Sequence, residues 1–533
     1  MMDLSLGEIA VSCGGKLVLQ GEDTSDTCVS SVEKDSREVT KQGAFLAIVG
    51  ERVDGHRFIA SVFENGAVLA ITQKTPEQVE AETGINSEGW GSYILVEDTL
   101  QALKDLAEYY RRKLSIPVVG ITGSVGKTST KEFLAGVLAE KYNVLKTEGN
   151  YNNEIGVPLT LLRIRGEHTA AVVEMGISDF GEMHRLSKMV RPTVCVITNI
   201  GQCHLENLKS REGILKAKTE IFDFMAEDAY ICLNGEDDKL CTITDVKGRK
   251  PHFFGRGNEP QMEVAAENIV SHGLWGSEAV LTLRAEEDTE SREEPKSRGN
   301  GETGKKLPLA SGEVEVQIPL PGEHNVLNSA AAACVGRLLG LSLEQIAAGI
   351  GKVKPVNGRN NLIRLKGHTL IDDCYNANPA SMKAAIDLLA MADTKKAAIL
   401  GDMFELGEGS RGFHEEIGVY AVRAGIDRIY CVGEEAEYMY KAAVAALTAP
   451  ATSAVIAAHS QTGQSVSEFS ANDLAAADSQ ESSARIIHFF TKEDLLKALR
   501  EEPYEYLPEG STVLVKASHG MKFSEIVEFM KTL

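Results

Sequence analysis

Short apolar runs rich in valine, isoleucine and alanine alternate along this chain with segments whose apolar side chains recur every three or four positions. The first pattern predicts buried strands and the second predicts amphipathic helices. In the first part the runs fall at 16–19, 44–49, 67–71 and 93–96, and a helix is predicted over 100–114. The second part opens on a run at 116–121 and continues with runs at 170–173, 193–198 and 230–233. It also carries a predicted helix over 210–222 and an alanine-rich one over 329–339. The third part has runs at 369–371, 397–400, 428–432 and 512–515. Strands alternating with helices predict an α/β protein. We expect three domains: a smaller α/β domain over 1–113, a central domain with a mostly parallel, doubly wound sheet over 114–356, and a Rossmann-like domain over 357–533. The last lacks a G-x-G-x-x-G fingerprint. Two stretches break the pattern. Positions 286–306 carry no apolar side chain and read as an insertion between strands at 279–283 and 314–318. Positions 448–484 are alanine- and serine-rich with little periodicity and read as a second, loose insertion.

The run at 116–121 is broken by Gly120, Gly123 and Gly126, after which Lys127 and Thr128 open a helix with Phe133, Leu134, Val137 and Leu138 on one side. Strand, glycine loop and helix N-terminus together turn bare N–H groups and the positive end of the helix dipole toward one anion. Lys127 can reach terminal phosphates and the Thr128 hydroxyl can hold Mg²⁺. The spacing departs from the strict Walker pattern, which wants glycine where Ile121 stands. A glycine-rich turn containing Gly-Lys-Thr by chance is the alternative, but the flanking strand and helix favour a nucleotide and make the central domain a P-loop domain.

The chain has 533 residues, too many for one core. Apolar residues make up 43% and charged residues 25%, ordinary for a globular protein. The net charge of −22 excludes a non-specific nucleic-acid binder, which needs a basic face. Nine cysteines without C-x-x-C pairs suit reduced thiols rather than a disulfide framework or zinc site. The first residues, Met-Met-Asp-Leu-Ser-Leu-Gly-Glu, do not read as a signal peptide, and no run approaches a membrane span. A cytoplasmic protein acting as a monomer, without membrane insertion, is the expectation.

Ligands bind at the carboxyl ends of strands in open α/β sheets. Three predicted strands end there in polar residues: Glu174-Met175-Gly176, Asn199-Ile200-Gly201 with His204 close behind, and Asn234-Gly235-Glu236-Asp237. Glu174 is a natural Mg²⁺ ligand, or simply an exposed strand end; His204 is a less usual ligand, or a structural histidine. Lys216 and Lys218 lie two apart on a helix and read as solvated charges or phosphate contacts. Asn325 and Asn328, three apart at a helix start, can face one ligand or cap the helix. Ser36 and Arg37 before a strand can hold a diphosphate, or lie in a surface turn.

Several of these motifs together resemble one family. They are Thr122 to Thr128, Asn152-Asn153-Glu154, Glu174-Met175-Gly176, Asn199-Ile200-Gly201 with His204, Ala217-Lys218-Thr219-Glu220, His324-Asn325 with Asn328, Asp372-Asp373-Cys374-Tyr375-Asn376-Ala377-Asn378-Pro379, and the stretch from Leu400 to Gly407. This set resembles the ATP-dependent Mur ligases, the amide-forming ligases of peptidoglycan precursor synthesis, over nearly the whole chain except the two insertions. The Asp372 to Pro379 stretch is the most discriminating. It resembles the family member that adds D-alanyl-D-alanine to UDP-N-acetylmuramoyl-tripeptide. The Asp-Asn-Pro-Arg signature associated with adding a diamino acid is absent.

The resemblance implies that ATP phosphorylates the tripeptide carboxylate and that the dipeptide amine attacks the acyl phosphate. It implies that Gly123, Ser124, Val125, Gly126, Lys127, Thr128 and Ser129 cradle the ATP phosphates, with Lys127 on the β/γ-phosphates. Mg²⁺ would be held by Thr128, Glu174, His204 and Lys218, the last as a carbamate formed with CO₂. A carbamate is an anion, which explains a lysine where an acid is expected. Asn325 and Asn328 would contact adenine, Arg359 the phosphates, and Asp373 the ribose, with Asp372 as the alternative. Ser36 and Arg37 would meet the UDP end. Asn152, Asn153, Tyr375, Asn376 and Asn378 would lie near the muramoyl peptide and the acceptor. One departure stands out: the family's Lys-Gly-Ser-Arg-Gly appears as Lys516-Ala517-Ser518-His519-Gly520. Sister ligases, a folate polyglutamate ligase and a P-loop ATPase without ligase chemistry are the other readings. The tripeptide's third residue, lysine or diaminopimelate, is not legible.

Overall fold

Strand Val118–Thr122 is buried throughout because both faces of its sheet are covered. Alternation along the strand assigns the faces. Val119 and Ile121 pack with Phe133, Leu134 and Val137, whereas Val118 joins Leu103, Leu106 and Leu186 on the other side. The neighbouring strands split the same way, Val172 to the first face and Ala171 and Val173 to the second.

The structure is a computed structural model that describes residues 4–50, 53–257, 259, 261–285, 309–448 and 484–533. Among these residues there are three sheets. The central one has nine strands in the order Gly312–Ile318, Ser277–Leu283, Met262–Ser271, His252–Arg256, Tyr230–Asn234, Val194–Ile197, Val118–Thr122, Ala170–Glu174 and Val144–Lys146. It is parallel from Met262–Ser271 onward, and the first three strands form an antiparallel edge. The N-terminal sheet has five strands, Lys16–Val18, Ser92–Leu95, Leu69–Thr72, Ala44–Leu46 and Val32–Glu33, all parallel except the first pair. The C-terminal sheet has six, Asn361–Arg364, Thr369–Asp372, Thr512–Lys516, Lys396–Gly401, Arg428–Val432 and Arg485–Phe489, again antiparallel only in the first pair. The expected three-part α/β architecture is present.

Both expected insertions lie outside the described residues, except for Thr448 and Ala484 at the ends of the second. The strands flanking the first, Ser277–Leu283 and Gly312–Ile318, pair antiparallel, so it joins two arms of one hairpin. Two interior strands of the central sheet, His252–Arg256 and Met262–Ser271, were not expected from the pattern. The alanine-rich helix is longer, Glu323–Leu338, beginning after Gly322 at φ +94°. Asn325 and Asn328 therefore stand inside its first turns, not as caps. Their amides tolerate this because they bond one another and their surroundings.

Helix Thr99–Lys113 fixes the N-terminal sheet to the central one. Its Tyr110 hydroxyl donates to the Ile164 carbonyl (2.6 Å), and buried Arg111 donates to the Val190 carbonyl (2.8 Å). The C-terminal sheet meets the central domain through Arg364, which stacks 4.2 Å over the Trp275 ring, and through Gly407, which lies against the Glu206 backbone.

Candidate active site

A cavity of about 840 Å³ opens where the carboxyl ends of the central strands face the C-terminal domain. The glycine loop forms its floor. A Cβ at Gly123 would meet the Thr198 hydroxyl at 1.9 Å, so no other residue fits there. Gly126, at φ +81°, starts helix Lys127–Leu138 in a backbone conformation that glycine adopts without strain. The loop is tied to the next strand end. Val125 N–H donates to Asn199 Oδ1 (3.0 Å), and the Val125 carbonyl accepts from Thr198 Oγ1 (2.7 Å) and Asn199 Nδ2 (3.0 Å). Asn199 thus braces the cradle, a role its sequence position did not disclose.

Lys127 Nζ donates to the carbonyl of Gly123 (2.7 Å). Burial lowers its pKa, Glu174 opposes that, and Arg359 adds to it. Thr128 Oγ1 donates to Glu174 Oε1 (3.3 Å), and Asn152 Nδ2 donates to the same oxygen (2.9 Å). Glu174 Oε2 is buried and accepts no hydrogen bond, with the nearest cation, Lys131 Nζ, at 3.9 Å. His204 lines the same cavity. Its Nδ1 is 2.6 Å from Glu405 Oε2, but off the ring's N–H axis, which makes this a close contact and not an aligned hydrogen bond.

Lys218 is 1% exposed, behind the cavity wall. Burial lowers its pKa to about 8, with Lys127 adding to that and Cys203 opposing it. Roughly a tenth to a fifth of this side chain is therefore a neutral amine near physiological pH, far more than for an ordinary lysine, and that is the form that reacts with CO₂.

The C-terminal wall is built from paired carboxylates. Asp372 and Asp373 grip the loop that carries Arg359 from either side: Gly358 N–H donates to Asp372 Oδ2 (2.9 Å) and Asn360 N–H to Asp373 Oδ1 (3.1 Å). Asp373 Oδ2 accepts from buried Lys516 Nζ (2.5 Å), which also donates to the Asn376 carbonyl (3.0 Å). The Arg359 guanidinium stacks 3.9 Å over Tyr375, and the His519 ring lies 5.5 Å from Tyr375 on centroids. Asp373 lines the cavity and Asp372 does not.

Of the residues anticipated from sequence, Ser124, Val125, Gly126, Lys127, Thr128, Ser129, Asn152, Asn153, Glu174, His204, Asn328, Arg359, Asp373, Tyr375, Asn376 and Asn378 line this one cavity. Gly123, Lys218 and Asn325 lie behind its walls. Asn325 Oδ1 accepts from Asn328 Nδ2 (2.9 Å), and Asn328 Oδ1 accepts from Thr130 Oγ1 (2.9 Å), which ties this helix to the glycine loop. Ser36 and Arg37 are not among the lining residues. Arg37 is exposed and bonded to Asp35 (2.9 and 2.5 Å), whose carboxyl it holds well below the usual range. Their neighbour Lys34 lies 5.4 Å over the Tyr151 ring. Lys131, Lys516, Asn360 and Glu405 were not anticipated. Lys131 stands one helical turn from Lys127, which was the available signal; the others depend on pairings between distant segments.

A glycine-loop cradle on a parallel sheet, closed over by a second α/β domain, defines a P-loop nucleotide-binding fold with a second substrate side. Sequence models of the Mur ligase middle domain, the Mur ligase glutamate ligase domain and the Mur ligase family catalytic domain match residues 121–336, 358–519 and 29–111. The chain belongs to the Mur ligase family. It is 33% identical over 505 residues to the UDP-N-acetylmuramoyl-tripeptide–D-alanyl-D-alanine ligase of Bacillus subtilis, covering 94% of this chain and 93% of that one. The protein of the same name from Escherichia coli is 33% identical, covering 82% and 87%. A crystal structure of MurF from Acinetobacter baumannii superposes with a TM-score of 0.76 at 27% identity, covering 99% of each chain. A MurF ligase from Thermotoga maritima in complex with ADP gives 0.69 at 27%, covering 94% and 97%.

Proposed function

We propose that this chain joins D-alanyl-D-alanine to UDP-N-acetylmuramoyl-tripeptide in peptidoglycan precursor synthesis, converting ATP to ADP and phosphate through an acyl phosphate. One observation carries the reading: the glycine loop and the Asp372 to Pro379 stretch line a single cavity from two domains. The relatives' shared name supports it.

The reaction brings ATP and a carboxylate together, so cations must be fixed before the anions arrive. Lys127 supplies one beneath the β/γ-phosphates, and Arg359, held flat on Tyr375, supplies another from the opposite wall. Asn328 faces adenine, with Asn325 fixing its amide, and Asp373 takes the ribose. Asn152, Asn153, Tyr375, Asn376 and Asn378 line the peptide and acceptor side, and Ser36 and Arg37 belong to the UDP end. The free Oε2 of Glu174 beside Thr128 and His204 is the donor set a Mg²⁺ ion would take, completed by Lys218 as a carbamate. The ion would neutralise phosphate charge. At Lys218 the neutral amine attacks CO₂, an N–C bond forms and a proton leaves to solvent. The reading includes a cytoplasmic monomer; among the described residues no helix is long and apolar enough to cross a membrane.

The test supplies ATP, Mg²⁺ and UDP-N-acetylmuramoyl-tripeptide with and without D-alanyl-D-alanine, and follows phosphate. Release that depends on the dipeptide is expected; equal release without it would overturn the ligase reading.

A further inference from the structure

The stretch from Leu400 to Gly407 was singled out in the sequence, yet no role in the chemistry falls to it. Its Glu405 adopts φ +61°, and the residue it faces, His204, adopts φ +51°. Left-handed backbone is costly for non-glycine residues and persists where the surroundings over-determine it. Here the two strained residues sit on different domains and meet at 2.6 Å across the cavity mouth. Gly407, at φ +63°, lets the same loop lie against the Glu206 backbone, where its Cβ position is 3.5 Å from the Glu206 Cα.

The contact is too exposed to matter for stability. Glu405 is 58% exposed, and pairs of that kind contribute little. Its consequence is orientation. A carboxylate held against the Nδ1 edge fixes how the ring is turned and leaves the Nε2 edge pointing away from it. Among the described residues no protein group takes Nε2, and His204 lines the same cavity as Thr128 and Glu174.

We propose that Glu405 is a positioning residue for His204: the C-terminal domain, on docking, sets the imidazole so that Nε2 faces the phosphate and metal side of the central domain. The inference rests on the ligase reading for its catalytic meaning, but its binding test stands apart from turnover.

The experiment uses the full chain as wild type, Glu405→Ala and Glu405→Gln, the last keeping an oxygen beside the Nδ1 edge of the ring. Mn²⁺ titrated in the presence of ADP and followed by electron paramagnetic resonance is expected to bind about 10-fold more weakly to Glu405→Ala. The amide variant recovers most of that loss. The kcat of Glu405→Ala falls by about 10-fold or more, while the KM for D-alanyl-D-alanine stays within about twofold. Trp275 under Arg364 reports docking of the C-terminal domain once Trp90, the only other tryptophan, is replaced by phenylalanine. Its emission is expected to be the same in all three proteins. Wild-type Mn²⁺ affinity in Glu405→Ala overturns the proposal, as does equal weakening in both variants. A Trp275 shift confined to the variants also overturns it, because Glu405 would then serve docking alone. A wild type that binds Mn²⁺–ADP but makes no amide would instead sink the ligase reading.

Discussion

The two walls of the cavity treat buried lysine differently. On the C-terminal wall Lys516 is 1% exposed and meets Asp373 at 2.5 Å, so its charge is answered inside the protein. On the central wall Lys218 is equally buried and Lys127 is half-buried at the cavity with its Nζ on the Gly123 carbonyl, and among the described residues neither forms an ion pair. An unanswered buried cation lowers stability, and folding tolerates it where an outside anion will arrive. The paired lysine holds the shape of the wall; in the proposed reading the unpaired two receive phosphate and CO₂.

Substitutions at the three lysines separate these cases. Lys127→Ala has the largest expected effect, a loss of kcat on the order of 1,000-fold, about 4 kcal/mol, with an unfolding midpoint no lower than wild type. A clear fall in stability there would put Lys127 with the structural lysines. Lys516→Met should do the reverse. Leaving Asp373 buried without its partner costs about 3–5 kcal/mol of folding stability, read by denaturant unfolding, and replacing Asp373 by leucine as well should recover much of it. Lys218→Ala follows, with a loss of activity of about 100-fold that short carboxylates such as acetate partly restore by supplying the missing anion. Full activity in the untreated variant would remove the carbamate from the account.

The smallest effect is in pH. With the Lys218 pKa lowered to about 8, the neutral amine is lost as pH falls below that value, and carbamate formation falls with it. Activity at fixed bicarbonate should decline several-fold between about pH 8 and 6.5, and added bicarbonate should restore it in wild type but not in Lys218→Ala. An identical response in the variant would point to some other titrating group.

How much of this was legible in the sequence follows from where each feature draws its constraint. The strand Arg428–Val432 was read with its observed bounds, and helix Thr99–Lys113 within one residue, because strong local periodicity and an Asp98 cap leave little choice. The two-residue Val32–Glu33 and the half-buried Arg485–Phe489 were missed. Both are edge strands, whose existence depends on a neighbour and not on their own pattern. The site divides the same way. Gly123 and Gly126 announce themselves because backbone geometry admits nothing else. The pair Asp373–Lys516 spans 143 residues and leaves no local trace. The paired carboxylates also show why Asp372 and Asp373 stand together: one holds Gly358 and the other Asn360, so both are needed to present Arg359.

The central claim is that this cavity transfers a phosphoryl group to a carboxylate before the amide forms. The direct measurement starts from UDP-N-acetylmuramoyl-tripeptide carrying ¹⁸O in the carboxylate that is joined, with ATP, Mg²⁺ and D-alanyl-D-alanine, and weighs the released phosphate. Attack of the carboxylate oxygen on the γ-phosphorus, followed by expulsion of that oxygen with phosphate, predicts one ¹⁸O in each phosphate per amide formed. Unlabelled phosphate accompanying amide formation would contradict the account.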